Sequence, residues 1–325
     1  MKLWDIYKFS VELGIQTDPR GPEAVAQELE RRCKAFDQLS AAEKEWFDTD
    51  QLTNPYPDTR ILQGAVDREI KHLFVGIDIG VSELLLVDRL NQKGTGIDAV
   101  MAHHPEGLAL TTLHQAMDLQ TDIFHGHGVP INVADQILQR EADKTHFEIS
   151  VGNYNRVVDA ARLLELPMLT SHTTTDNLVQ HYIEQKIASA QPRLISEIME
   201  LLSHEPEYNE ARKLEAGPRL LSGSPDNRCG KIMVDMTGGT DAGTEIYEKL
   251  GQAGIGTIVA MHLSPGVREV LEKAHVNIVL AGHMSSDSLG LNLFMDQLEA
   301  RGLKITAGSG FTRFKRDPET RKLLS

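Results

Sequence analysis

Cysteine is nearly missing from this chain: Cys33 and Cys229 are the only two, too few for a disulfide framework or a cysteine-rich zinc site. Positive charge is also short. Lys and Arg number 33 against 47 Asp and Glu, a net charge of −14. That balance lacks the basic face of a nucleic-acid binder, so no bulk nucleic-acid binding is expected, although a local basic groove is still compatible with it. No run approaches the 18 or so uninterrupted apolar residues that a membrane helix needs. The opening residues, Met1-Lys2-Leu3-Trp4-Asp5-Ile6-Tyr7-Lys8, break any apolar stretch with charge, so no signal peptide is expected. What is present is length and histidine. The 325 residues, 41% of them hydrophobic, suffice for two domains or one large α/β domain, and 13 histidines stand out. The expectation is an acidic protein of a reducing, cytoplasmic compartment.

Residues 1–65 read as a helical N-terminal extension. Pro22 followed by Ala24, Val25 and Leu29 gives an amphipathic helix, and Ser40-Ala-Ala-Glu43 has the pattern of a capping box. Asn54-Pro55-Tyr56-Pro57 then forces an extended linker. The region reads as scaffold or partner contact, without chemistry of its own. From residue 66 short apolar runs alternate with amphipathic helical patterns: Leu73–Ile77, Ala99–Ala102, Pro167–Thr170, Ile232–Val234, Thr257–Met261, Asn277–Ala281 and Leu303–Thr306. Apolar strands between helices predict mostly parallel sheets with both faces covered. The fold class is therefore α/β in two related halves with flanking helices. Residues 66–176 form the first half, 177–228 a helical connection and 229–325 the second half. The stretch 114–150 is polar, poorly periodic and reads as an insertion in the first half.

The ends of these runs carry the chemistry, because ligands of open α/β sheets bind beyond the carboxyl ends of the strands. Asp78, His103-His104-Pro105, Ser171-His172, Asp235, His262 and Gly282-His283 all follow apolar runs. His-x-x-x-Asp occurs twice, as His172/Asp176 and His283/Asp287, a spacing that puts each pair on one face of a helix start. Each pair taken alone also fits an early-helix acid on the helix dipole. In His103-His104 adjacent side chains point opposite ways along a strand. Both can serve one site only where the strand ends, and Pro105 enforces that end. Adjacent imidazoles can then contact two metal ions held close together. Imidazole with carboxylate suits zinc, manganese, iron, cobalt or nickel better than calcium or magnesium.

The order of these motifs, strand–His-His-Pro, then Ser-His-Thr-x-x-Asp, then Gly-His-x-x-x-acid near the C-terminus, resembles the Ngg-interacting-factor-three family. Its members are described as dinuclear metal-centre hexameric proteins or as GTP cyclohydrolase I type two-like. The resemblance covers roughly residues 60–112 and 155–310. It implies two divalent transition-metal ions held by His103, His104, Asp176, His283 and Asp287. Family members usually carry glutamate where this chain has Asp287, one methylene shorter. By the same resemblance His172 orients a ligand by hydrogen bond, His262 lines the cleft, and the chain assembles into a ring-like homo-hexamer.

Two further motifs are read more plainly. His125-Gly126-His127 has metal-binding spacing, but little apolar strand precedes it and eight regular βα units are missing, so it reads as a polar loop turn. Val234-Asp-Met-Thr-Gly-Gly-Thr240 reads as a tight strand-to-helix turn whose amides would suit a phosphate-bearing ligand. The functional expectation is a metal-dependent hydrolase on a small polar, phosphate-bearing or nucleotide-like substrate, with His262 and His172 moving protons. The alternative is a non-catalytic metal-binding scaffold, or a regulatory or metal-handling protein.

Overall fold

Each of the seven apolar runs forms the core of a strand in the computed structural model, which describes residues 1–324. The first sheet contains β1 (Arg60–Gln63), β2 (His72–Gly76), β3 (Ala99–Ala102), β4 (Met168–Thr170) and β9 (Lys304–Gly308), in the order β1-β4-β3-β2-β9. The second contains β5 (Arg219–Ser222), β6 (Lys231–Asp235), β7 (Ile255–Ala260) and β8 (Asn277–Leu280), in the order β5-β8-β7-β6. Pairing is parallel except for β1 with β4 and β5 with β8. The protein is thus α/β, with two mostly parallel sheets. Among the described residues, no helix is long and apolar enough to cross a membrane.

The strands are apolar throughout because both faces are covered. Leu73, Val75, Met101 and Leu169 of the first sheet face the same central core as Val234, Val259 and Val279 of the second. Alternate residues point outward: Phe74, Val100 and Met168 pack under helices on the first sheet's far side, and Met233, Ile258 and Ile278 do so on the second's. Between the sheets lie two long helices, Thr173–Ala190 and His283–Ala300. Both are buried around most of their first turns, as a helix enclosed by protein must be. They touch closely: a Cβ at Gly290 would lie 2.4 Å from the Thr175 carbonyl oxygen, so only glycine fits there.

Three α-helices, Leu3–Gln16, Pro22–Gln38 and Ala41–Trp46, and a 3₁₀ turn, Thr49–Leu52, precede β1. The capping box forms, with Glu43 accepting from the Ser40 amide and the Ser40 hydroxyl accepting from the Glu43 amide. The first helix backs the Thr173 helix. Ser10 bonds the hydroxyls of Ser171 and Thr174 at 2.8 Å, and Asn177 donates to the Gly14 carbonyl. The stretch 114–150, polar and poorly periodic in its sequence, is largely helical: Leu113–Met117 (a 3₁₀ turn), Asp118–Gly126 and Ile131–Ser150. Their apolar faces (Leu119, Ile123, Phe124, Ile137 and Leu138) pack on the second sheet's outer layer with Ile246 and Tyr247.

The halves repeat each other in detail. Residues 59–80 align with 218–239 without a gap, matching Arg60 with Arg219, Leu62 with Leu221, Gly64 with Gly223, Asp67 with Asp226 and Val75 with Val234. Both edge strands shift register at the same aligned place, Ile61/Gln63 and Leu220/Ser222. Each is followed by a left-handed glycine, Gly64 (φ 106°) and Gly223 (φ 98°).

Candidate metal centre and adjoining cleft

The carboxyl ends of both sheets meet, and five of the residues singled out by the sequence converge there. His103 and His104 leave β3, Asp176 sits on the first turns of the Thr173 helix, and His283 and Asp287 on those of the His283 helix. Two groups result. His103 Nε2 lies 3.4 Å from Asp176 Oδ1 and 3.5 Å from Asp287 Oδ1. His104 Nε2 and His283 Nε2 lie 3.5 and 3.6 Å from Asp287 Oδ2. Asp287 therefore presents one oxygen to each group.

The imidazoles are aimed by what binds their other nitrogen. His103 Nδ1 faces the Ser171 carbonyl at 3.1 Å, and His104 Nδ1 faces Asp78 Oδ1 at 2.7 Å. A carbonyl or carboxylate only accepts, so the proton sits on Nδ1 and each Nε2 turns a lone pair inward. His103 Nε2, Asp176 Oδ1 and both oxygens of Asp287 are buried with no hydrogen-bond partner among the described residues. Stranding that many polar atoms is costly unless something binds them. Inward lone pairs with orphaned carboxylate oxygens fit divalent cations, and three sets here have ligand atoms within 4.8 Å of one another: His103/His104/His172, His104/His283/Asp287 and His103/Asp176/Asp287.

Electrostatics follow from burial and neighbours. Burial pushes the Asp176 carboxyl up to about 6, against the pull of His172 and His103. Burial would raise Asp287 too, but the imidazoles of His103, His104 and His283 hold it well below the usual carboxylate range. Burial drives His283 down to about 4. At His172 burial is outweighed by Asp176, Asp58 and Asp287, which lift it to about 9.

His172 stands beside the cluster. Its Nε2 is 3.8 Å from Asp176 Oδ2, beyond a hydrogen bond, while Nδ1 is held by Asp58 Oδ2 at 2.8 Å. Asp58 also accepts from Thr173 Oγ1. The sequence reading missed Asp58 because it ends the linker of a region that seemed to hold no chemistry. Its partner is 114 residues away, and no local pattern reports such a contact. His262 lies 4.7 Å ring to ring from His283 and lines a cleft beside the cluster, with Asp235, Thr237, Asp241 and Tyr247. His125 and His127 stand apart, at the end of the Asp118–Gly126 helix rather than in a loop, with their Nδ1 atoms on the carbonyls of Val129 and Ile123.

The two His-x-x-x-Asp pairs are not placed alike. His172 precedes its helix as the capping residue, whereas His283 is the first residue of its helix. That one-residue displacement turns Asp287 about 100° further around its helix than Asp176, at 3.6 residues per turn.

No protein-family model matches the sequence, and no curated protein does. Among solved structures, the chain is similar to a NIF3 superfamily protein from Sphaerobacter thermophilus, with 27% identity, a TM-score of 0.70, and coverage of 78% of this chain and 91% of that one. HcgD from Methanocaldococcus jannaschii in its reduced state (14% identity, TM-score 0.49, covering 83% and 97%) is further off. So is a Bacillus cereus protein related to NIF3 (10%, TM-score 0.40, covering 78% and 93%). Neither of these two adds to the assignment. The His-His-Pro and paired His-x-x-x-Asp motifs stand in order on this fold, and in fold and motif order the chain resembles the NIF3 superfamily.

Proposed function

We propose that the chain holds two divalent transition-metal ions and works as a metal-dependent hydrolase on a small polar substrate. His103, Asp176 and one oxygen of Asp287 would hold one ion; His104, His283 and the other oxygen of Asp287 would hold the second. The observation that carries this reading is Asp287: both its oxygens are buried and unpartnered, and each faces a different imidazole set. Ions bound there would supply Lewis acidity to a bond beside them. The protein's own share is orientation and proton movement. Asp78 and the Ser171 carbonyl hold the ligand imidazoles in register. His262 and His172, which both line the cleft, would move protons as general acid and base. Asp58 fixes which face His172 offers. The family resemblance adds a ring-like homo-oligomer, which light scattering at micromolar concentration would report; monomer alone would remove that part.

Elemental analysis of the purified chain, followed by a panel of nucleotides, amides and phosphoesters, tests the proposal. His104→Ala and Asp176→Asn should bind well under the wild-type complement of metal with an unchanged circular dichroism spectrum, while His127→Ala keeps it. His262→Ala should keep the metal and lose turnover. Metal retained in the first two variants, or lost only with His127, would refute the ligand set. Full metal with no turnover on any substrate would leave a binding protein.

A further inference from the structure

Three carboxylates, Asp176, Asp235 and Asp241, line the cleft beside the cluster. We propose that it recognises a compact, positively charged donor group on the substrate, such as an amidinium or a primary ammonium, held by Asp235 and Gln120. This names the substrate class of the proposed metal centre and rests on that reading for the chemistry done beside the bound group; the recognition is carried by other residues.

Asp235 ends β6, where the aligned residue of the first half is Gly76. Its Oδ2 accepts from the Tyr247 hydroxyl at 2.6 Å. Tyr247 is buried against Phe124, ring edge to face at 5.3 Å, so the carboxylate is fixed in direction while Oδ1 is not engaged by the phenol. Gln120 reaches the same cleft from the helix Asp118–Gly126. It is only 4% exposed. Its Nε2 donates to the Thr240 carbonyl at 2.7 Å, and its Oε1 is buried with no partner among the described residues. The glycine-rich turn is shaped around this side chain: a Cβ at Gly238 (φ 113°) would fall 2.2 Å from Gln120 Cγ. An unpaired buried amide oxygen costs free energy unless a donor reaches it.

The remaining groups agree in sign. Asp241 spends its oxygens on the Gly243 and Ser264 amides, so it adds negative charge rather than a free acceptor. Thr237 has turned its hydroxyl hydrogen to Asn177 at 2.7 Å. Among the described residues no Lys or Arg lines the cleft. A phosphate, which the glycine-rich turn would otherwise suggest, would find three carboxylates there, Asp176, Asp235 and Asp241, and His172, already held by Asp58. The cavity volume of the cleft is about 40 Å³, which leaves room for a small head group only.

Acetamidinium and acetate have the same shape and opposite charge, so together they test the sign of the site. Each is titrated into the full chain and followed by ligand-observed NMR, with metal content measured on the same samples. Wild type should bind acetamidinium saturably. Asp235→Asn should weaken it by about tenfold or more, the scale of one lost charge-assisted hydrogen bond, and Gln120→Met by a smaller factor. Acetate should respond to neither change. If Asp235→Asn fails to fold by circular dichroism, Gln120→Met decides. Acetamidinium binding that does not saturate, or that neither variant weakens, overturns the proposal. Metal bound without acetamidinium binding refutes this inference alone. Acetamidinium bound without metal refutes the metal centre and leaves this inference standing.

Discussion

The two halves share the order of four strands, the edge-strand bulge and the turn glycine, yet they deliver different side chains to the common edge. The first half ends β2 with Gly76 and follows β3 with His103-His104, whose outer nitrogens are tied to the Ser171 carbonyl and Asp78. The second half ends β6 with Asp235 and follows β7 with Met261-His262, opening a cleft rather than closing a cluster. Only the helix pairs serve both purposes, and the one-residue offset of His283 relative to His172 lets Asp287 look back toward the first half's histidines. A repeated frame has been divided: the helices of both halves face the cluster, while the strand ends of the first add imidazoles to it and those of the second shape the space beside it.

The sharpest way to break this division is Asp287→Ala. Because Asp287 faces both groups, its loss should remove both ions, while a change confined to one group should remove mainly one. Elemental analysis of the two kinds of variant decides it, and equal losses would mean the groups are not distinct. Asp58→Asn is next. It frees His172, which is held by Asp58 and is not among the proposed ligands, so it should leave both ions bound and lower turnover by about 10–100-fold, the scale of one proton-transfer group; elemental analysis beside a rate measurement reads it. Gly290→Ala tests the joint between the halves. A methyl 2.4 Å from the Thr175 carbonyl must force the helices apart, costing about 1–3 kcal/mol in urea denaturation. Ser40→Ala, in an exposed capping box far from either half's site, should cost about 1 kcal/mol or less and leave the metal count unchanged.

How much of this was legible in the sequence depended on whether the signal was local. The central strands were legible, because both faces are buried and the side chains are apolar without alternation. The edge strands β1 and β5 were not. They are half-exposed, begin with Arg60 and Arg219, and carry a bulge that spoils any period-two pattern; the gapless repeat of 59–80 in 218–239 would have revealed them. The five convergent residues were legible because His-His-Pro and the paired His-x-x-x-Asp lie at strand ends. Asp58 and Gln120 were not, since each works through partners more than a hundred residues away. The helices of 114–150 were missed because Ile131–Ser150 buries only Ala134, Ile137 and Leu138, and those before it are too short to show a period.

The central claim is that Asp287 joins two metal sites. An anomalous difference map from crystals of the full chain grown with zinc or manganese tests it most directly. The account predicts two peaks per chain, one between His103 and Asp176 and one between His104 and His283, with one Asp287 oxygen toward each. A single peak, or peaks at His125 and His127 with none at Asp287, would contradict it.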